Sequence, residues 1–271
     1  MKKWESVFFR SDELRLHAAR HPGRGDRPMV VVPGITTPAG AFAVTGARLT
    51  EIGSDVYVLD MRGRGLSERA PYGAHRSGDY ADDVLALVSE LGLDRPLLVG
   101  HSLGARVVAA ARARYPGASS GVVAIDPPMS GPGRRPYPMT LDRFLSGLHG
   151  ARAGHGAQQA EKDYPTWTEE EVRLRGEWLA SCDETAVVDS YAWFHLEAFE
   201  PVWREVEPPA LLLYGDRSPV VTAADAALLR EVNPRADVVA VADSGHMVPW
   251  DNLDQTATEI AGFASRLGAS A

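Results

Sequence analysis

A single cysteine, Cys182, in a chain of 271 residues excludes an internal disulfide and suits a reducing compartment. Cys182 lies in an amphipathic helical stretch and reads as buried filler rather than as a nucleophile. No apolar run approaches the ~20 residues of a membrane span, and no apolar leader segment follows the basic start Met1-Lys2-Lys3-Trp4-Glu5. Lys/Arg blocks are missing too. The 28 basic and 36 acidic residues leave a diffuse net charge of −8, which argues against nucleic acid and anionic membrane surfaces as partners. A His-Glu-x-x-His motif, paired cysteines and a phosphate-binding glycine loop are all absent, so neither metal nor nucleotide cofactor is expected. Internal repeats and low-complexity segments are missing as well. The remainder, 45% hydrophobic and 24% charged, describes a soluble globular protein with ample core, expected in the cytoplasm and acting on a small molecule. Oligomeric state is not legible.

Short β-rich runs alternate with helical stretches. Residues 6–10 and 14–20 read as a hairpin, followed by strands at 29–32, 55–60, 96–100, 121–126, 210–215 and 237–242. The last six are Val/Leu-rich without alternation, as parallel strands buried on both faces are. Helices are expected at 40–53, 78–91, 103–115, 223–231 and 254–267. This order predicts an α/β fold with an eight-stranded, mostly parallel sheet. Between the sixth and seventh strands lie roughly 80 residues without a strand, too long for an idle loop. They open on a Pro/Gly-rich stretch, continue through helical segments at 141–150, 168–181 and 184–199, and carry four of the six tryptophans. The reading is a core of residues 1–128 and 208–271 with a helical cap, 129–207, over the carboxyl ends of the strands, where open α/β sheets bind ligands.

Chemistry concentrates at Gly100-His101-Ser102-Leu103-Gly104, between the fifth strand and the third helix. A strand, a G-x-S-x-G turn and a helix form the nucleophile elbow of a serine hydrolase, with strained backbone lifting Ser102 Oγ clear of the sheet. A serine hydroxyl needs a base. Of eight histidines, His246 in Ser244-Gly245-His246-Met247-Val248-Pro249-Trp250 follows the last strand, where such folds place it. His101 adjoins the nucleophile but points away from it.

The acid is less direct. The loop after the seventh strand has Ser218 where a G-x-x-D acid would stand, and Asp216 only one residue after Gly215. The sixth strand runs into Asp126-Pro127-Pro128, and Pro127 biases Asp126 toward extended geometry that would fix its aim. Asp126 is therefore preferred as the triad acid, with Asp216 next and Asp60, Asp243 and Asp251 remaining. Oxyanion donors are expected at the amides of Leu103 and Ile35, with Thr36 able to add a hydroxyl. The run Asp60-Met61-Arg62-Gly63-Arg64-Gly65-Leu66-Ser67 reads as a structural turn in which Arg62 braces neighbouring loops.

Together these residues resemble the α/β-hydrolase superfamily over nearly the whole chain. Within it, the stretches 31–36, 58–67, 126–135 and 245–251 resemble the N-formylmaleamate deformylase family, most specifically in Asp126-Pro127-Pro128-Met129-Ser130-Gly131-Pro132-Gly133-Arg134-Arg135. That resemblance implies Ser102, Asp126 and His246 as triad, and hydrolysis of N-formylmaleamate, a carboxylate-bearing formamide, to maleamate and formate. It leaves Asp216 unexplained. The substrate carboxylate would want a cation, for which Arg134 and Arg135 stand near; Trp193 and His195, in the inserted helices, complete the substrate-binding candidates. Ester, lactone or C–C hydrolysis on the same fold, and a noncatalytic receptor, are the rival readings. A serine elbow argues against dehalogenase or epoxide hydrolase chemistry, which needs a carboxylate nucleophile.

Overall fold

Val56 and Val58 send their side chains into one hydrophobic core while Tyr57 and Leu59, between them, enter another. The next strand does the same, with Met29 and Val31 on one side and Val30 and Val32 on the other. A strand apolar at every position needs cover on both faces, and here each face has it. The computed structural model describes residues 4–24 and 27–269; the basic start at Met1, Lys2 and Lys3 lies outside them.

Among the described residues, eight strands form one sheet: β1 (Glu5–Ser11), β2 (Leu14–His21), β3 (Met29–Val32), β4 (Val56–Asp60), β5 (Leu97–His101), β6 (Gly121–Ile125), β7 (Ala210–Gly215) and β8 (Asp237–Val241). Their order is β1-β2-β4-β3-β5-β6-β7-β8. β1 and β2 pair antiparallel, β2 meets β4 antiparallel, and every later pairing is parallel. The carboxyl ends of β5 and β6 therefore lie side by side at the centre, with His101 paired to Ile125.

The helices are α1 (Ala43–Leu49), α2 (Ser77–Glu90), α3 (Leu103–Arg114), α4 (Leu141–Arg152), α5 (Gly156–Asp163), α6 (Glu169–Leu179), α7 (Glu184–Leu196), α8 (Glu200–Glu205), α9 (Ala223–Val232), α10 (Val248–Asp251) and α11 (Leu253–Ala269). Phe42 just before α1 and Leu49 at its end join Ile260 and Phe263 of α11 in one core; α2, α3 and α9 contribute to the other. The single helix expected over 40–53 is interrupted, with one-turn 3-10 segments at Ala39–Phe42 and Thr50–Ile52 flanking α1. Five helices, α4 to α8, fill the interval between β6 and β7 where three were expected. α5 and α8 are short and largely polar, so hydrophobic periodicity could not reveal them. α6 begins where Thr168 and Glu171 cap each other reciprocally, and Asp183 accepts from the Ala186 amide to start α7.

Arg64 ties these inserted helices to the sheet. Its guanidinium is buried and donates to Ile35 O, Arg62 O, Tyr80 Oη, Ala186 O and Ser190 Oγ. Arg62 grips Asp83 of α2 through two bonds of 2.8 and 2.6 Å and also donates to Ala74 O, which is the bracing expected of it. Asp60 collects the Ala39 and Leu66 amides and His17 Nδ1. Gly65 crosses it with φ +57°, where a Cβ would lie 2.1 Å from Asp60 Oδ2. That requirement, not catalysis, accounts for the D-x-R-G-x-G run. Cys182 is fully buried, and burial pushes its thiol up to about 11.

Candidate active site

β5 ends at His101, and Ser102 takes φ +55° and ψ −120° before α3 begins at Leu103. The conformation costs on the order of 1–3 kcal/mol and holds because its surroundings allow nothing else. Ser102 N still donates to Ile125 O at 2.8 Å, and a Cβ on Gly104 would stand 1.9 Å from Val32 O. Leu103, the first residue of α3, has an amide with no intrahelical acceptor. Opposite lies the 33–37 loop. Gly34 O accepts from Thr37 N at 3.0 Å, so the trans peptide aims the Ile35 amide the other way.

His246 stands on the loop after β8, and its imidazole joins two others of the sequence candidates. Nε2 lies 3.0 Å from Ser102 Oγ, and Nδ1 lies 2.7 Å from Asp126 Oδ2. Asp126 is wholly buried just beyond β6. It accepts from Ser218 Oγ at 2.6 Å on Oδ2 and from the Gly215 amide at 3.2 Å on Oδ1. Burial pushes its carboxyl above the ordinary range, against the pull of these donors and of His246. Asp126 has φ +49°, not the extended backbone expected before Pro127; its amide donates to Leu213 O at 2.8 Å, and this pairing with β7 overrides the local preference. Ser218, at the vacated acid position, orients the carboxylate instead.

The alternative acids are engaged elsewhere. Asp216 accepts from Ser244 N at 3.1 Å, Asp251 from Gly245 N at 2.9 Å, and Asp243 pairs with Arg217. All three shape the loops flanking His246. His101 Nε2 donates to His246 O at 2.9 Å and so steadies the His246 backbone from behind. Burial holds the His101 ring neutral, its pKa down to about 3.

A cavity opens over Ser102 and His246, lined by Ile35, Thr36, Tyr137, Met139, Phe144, Tyr164, Arg175 and Leu179 among others. Four substrate-binding candidates are absent from that lining, which corrects the expectation. Arg134 pairs with Asp225 at 2.8 Å and Glu200 at 3.0 Å, and Arg135 pairs with Asp225 at 2.7 Å and donates to Val220 O. Trp193 is buried, with Nε1 on Glu197 Oε2. His195 lies between Tyr191 O and the Tyr137 amide. Thr36 lines the cavity, its carbonyl and hydroxyl both accepting from Arg175. Two arginines that sequence reasoning missed face the cavity. Arg143 is chelated by Asp163 at 2.7 and 2.8 Å, whereas Arg175 has no carboxylate partner among the described residues. No local sequence signal marked Arg175, which is one of several charges on α6. Among the described residues no cluster of His, Cys, Asp or Glu has metal-binding geometry, and no helix is long and apolar enough to cross a membrane.

A sheet of this order, a serine on a strained turn and a histidine after the last strand define a hydrolase, and residues 27–253 match the model of the α/β hydrolase fold family. The chain belongs to that family and is an enzyme of its class. It is 39% identical over 241 residues, 89% of either chain, to the N-formylmaleamate deformylase of Pseudomonas putida. It is 31% identical, again over 89% of each chain, to the 2-(acetamidomethylene)succinate hydrolase of Mesorhizobium japonicum. Among solved structures, the N-formylmaleamic acid deformylase of Pseudomonas putida S16 superposes with a TM-score of 0.87 at 33% identity, covering 94% of this chain and 100% of that one.

Proposed function

We propose that this protein hydrolyses N-formylmaleamate to maleamate and formate through a formyl ester on Ser102. The observation that carries the reading is the hydrogen-bonded line from Ser102 Oγ through His246 to Asp126, at the floor of a cavity lined by Arg175, which has no carboxylate partner among the described residues. The likeness to the two relatives supports the choice of bond, since both are named for N-acyl compounds that carry carboxylates.

On this reading His246 Nε2 takes the Ser102 proton as Oγ attacks the formyl carbon, and Asp126 holds the ring and stabilises its charge. The oxyanion settles on the Ile35 and Leu103 amides; losing one such donor typically costs about 3 kcal/mol of transition-state stabilisation. His246 returns the proton to the departing nitrogen, and maleamate leaves. Water, deprotonated by the same Nε2, then releases formate and restores Ser102. Arg175 receives the substrate carboxylate, while Arg143 at the rim is already neutralised by Asp163. Residues 129–207 act as a cap over the core of 1–128 and 208–271, closing the cavity from above. We place the enzyme in the cytoplasm, with a small molecule as its only required partner.

The test is a substrate panel. The purified protein should release formate from N-formylmaleamate far faster than it cleaves 2-(acetamidomethylene)succinate or 4-nitrophenyl acetate. Preference for an acetyl donor would contradict the assignment.

A further inference from the structure

One more polar atom reaches the catalytic imidazole. The Tyr137 hydroxyl lies 3.0 Å from His246 Nε2, the same nitrogen that Ser102 Oγ approaches. With Nδ1–H donating to Asp126, Nε2 has a single lone pair, yet two hydroxyls converge on it. The Ser102 proton must go to Nε2 during attack, so the Tyr137 proton is spare. It stands where His246 later hands its own proton to the leaving group.

Much of the neighbouring chain holds this hydroxyl in place. Tyr137 sits between Pro136 and Pro138, its ring packed on Phe144 and Phe194 and its amide donating to His195 Nε2 at 3.4 Å. Upstream, Arg106 of α3 gathers the carbonyls of Pro128, Ser130, Phe194 and Glu197. Arg134 and Arg135 then fasten the segment to Asp225 at the start of α9. The Asp-Pro-Pro to Arg-Arg stretch is thus a strap that begins at the triad acid and delivers Tyr137 back to the triad base. Burial pushes the phenol well above its ordinary pKa, so the group is a donor and never a base.

We propose that Tyr137 is a catalytic residue that donates a hydrogen bond to the leaving amide as the C–N bond breaks, an inference that rests on the hydrolytic reading of the site. When the tetrahedral intermediate collapses, the C–N electron pair moves to nitrogen and the formyl carbonyl of the Ser102 ester re-forms. The Nε2 proton passes to that nitrogen. In an N-acyl leaving group the charge spreads to the adjoining carbonyl oxygen, which accepts from Tyr137 O–H; Tyr137 keeps its proton throughout. The hydroxyl therefore matters in proportion to how poorly the group leaves.

The experiment compares Tyr137→Phe with wild type on two substrates that share one acyl group: 4-nitrophenyl formate and N-formylbenzamide, whose leaving benzamide carries the adjoining carbonyl. Nitrophenolate departs unaided, so kcat/KM on the ester should stay within about threefold, whereas kcat/KM on the formamide should fall about 10- to 100-fold. Asp225→Asn, which loosens the strap without touching the hydroxyl, should show the same asymmetry in milder form, with thermal melts confirming that both variants are folded. Equal losses on ester and formamide would reduce Tyr137 to a packing wall and overturn the proposal. So would an undiminished formamide rate, or a wild-type enzyme that cleaves the ester and no formamide. If wild type cleaves the formamide but not N-formylmaleamate, the substrate reading falls while the role of Tyr137 is still decided by the ratio.

Discussion

Asp126 and Asp216 are both aspartates beside the carboxyl end of the sheet, yet only one touches the imidazole. Replacing Asp126 by Ala should lower kcat by about 10⁴-fold, since the base loses both its tautomer and its counter-charge. Asp216→Ala should keep most activity, because its carboxylate only shapes the loop before His246; steady-state kinetics on the pair decide it, and the reverse order would refute the assignment. Arg175 makes a separate claim. A charged hydrogen bond contributes roughly 1.5–3 kcal/mol, so Arg175→Met should raise KM for N-formylmaleamate about 10- to 100-fold. Neutral 4-nitrophenyl formate should be little affected.

Elements explain what could and could not be read from the chain. The elbow was legible because its requirement is local: Gly100 and Gly104 leave room where a Cβ would meet Gly104 O at 2.1 Å and Val32 O at 1.9 Å. Asp126 was legible because an apolar strand ends on it, and His246 because it follows the final strand. Arg134 and Arg135 were misread as substrate ligands because their neutralising partners, Glu200 and Asp225, lie far along the chain. Tyr137 and Arg175 reach the site only through tertiary packing and carry no periodic or motif signal. The same dependence makes Arg64 critical, since it joins the 33–37 loop, α2 and α7. Arg64→Leu would leave several buried acceptors unpaired, each costing about 1–3 kcal/mol, so chemical denaturation should show a loss of at least about 3 kcal/mol.

For the molecule as a whole, buried histidines set the acid limit. Burial lowers His21 to about 4 and His101 to about 3, while an unfolded histidine titrates near about 6.5. Below about pH 6.5 the unfolded chain therefore binds protons that the folded chain refuses. Stability from these groups is complete above that pH and drains away as pH falls toward 4. Asp83 and Asp126, raised by burial, act in the opposite sense, so the contrast with a single variant is the cleaner measure. His21→Gln should flatten the acid-side loss by up to about 3 kcal/mol at pH 4, as read from denaturation at several pH values.

Formate release from N-formylmaleamate, followed with wild-type protein and with Ser102→Ala, bears most directly on the whole construction. Wild type should yield formate and maleamate in equal amounts, and the variant should lose about 10⁴-fold or more in kcat. Undiminished release by Ser102→Ala, or none by wild type, would contradict it.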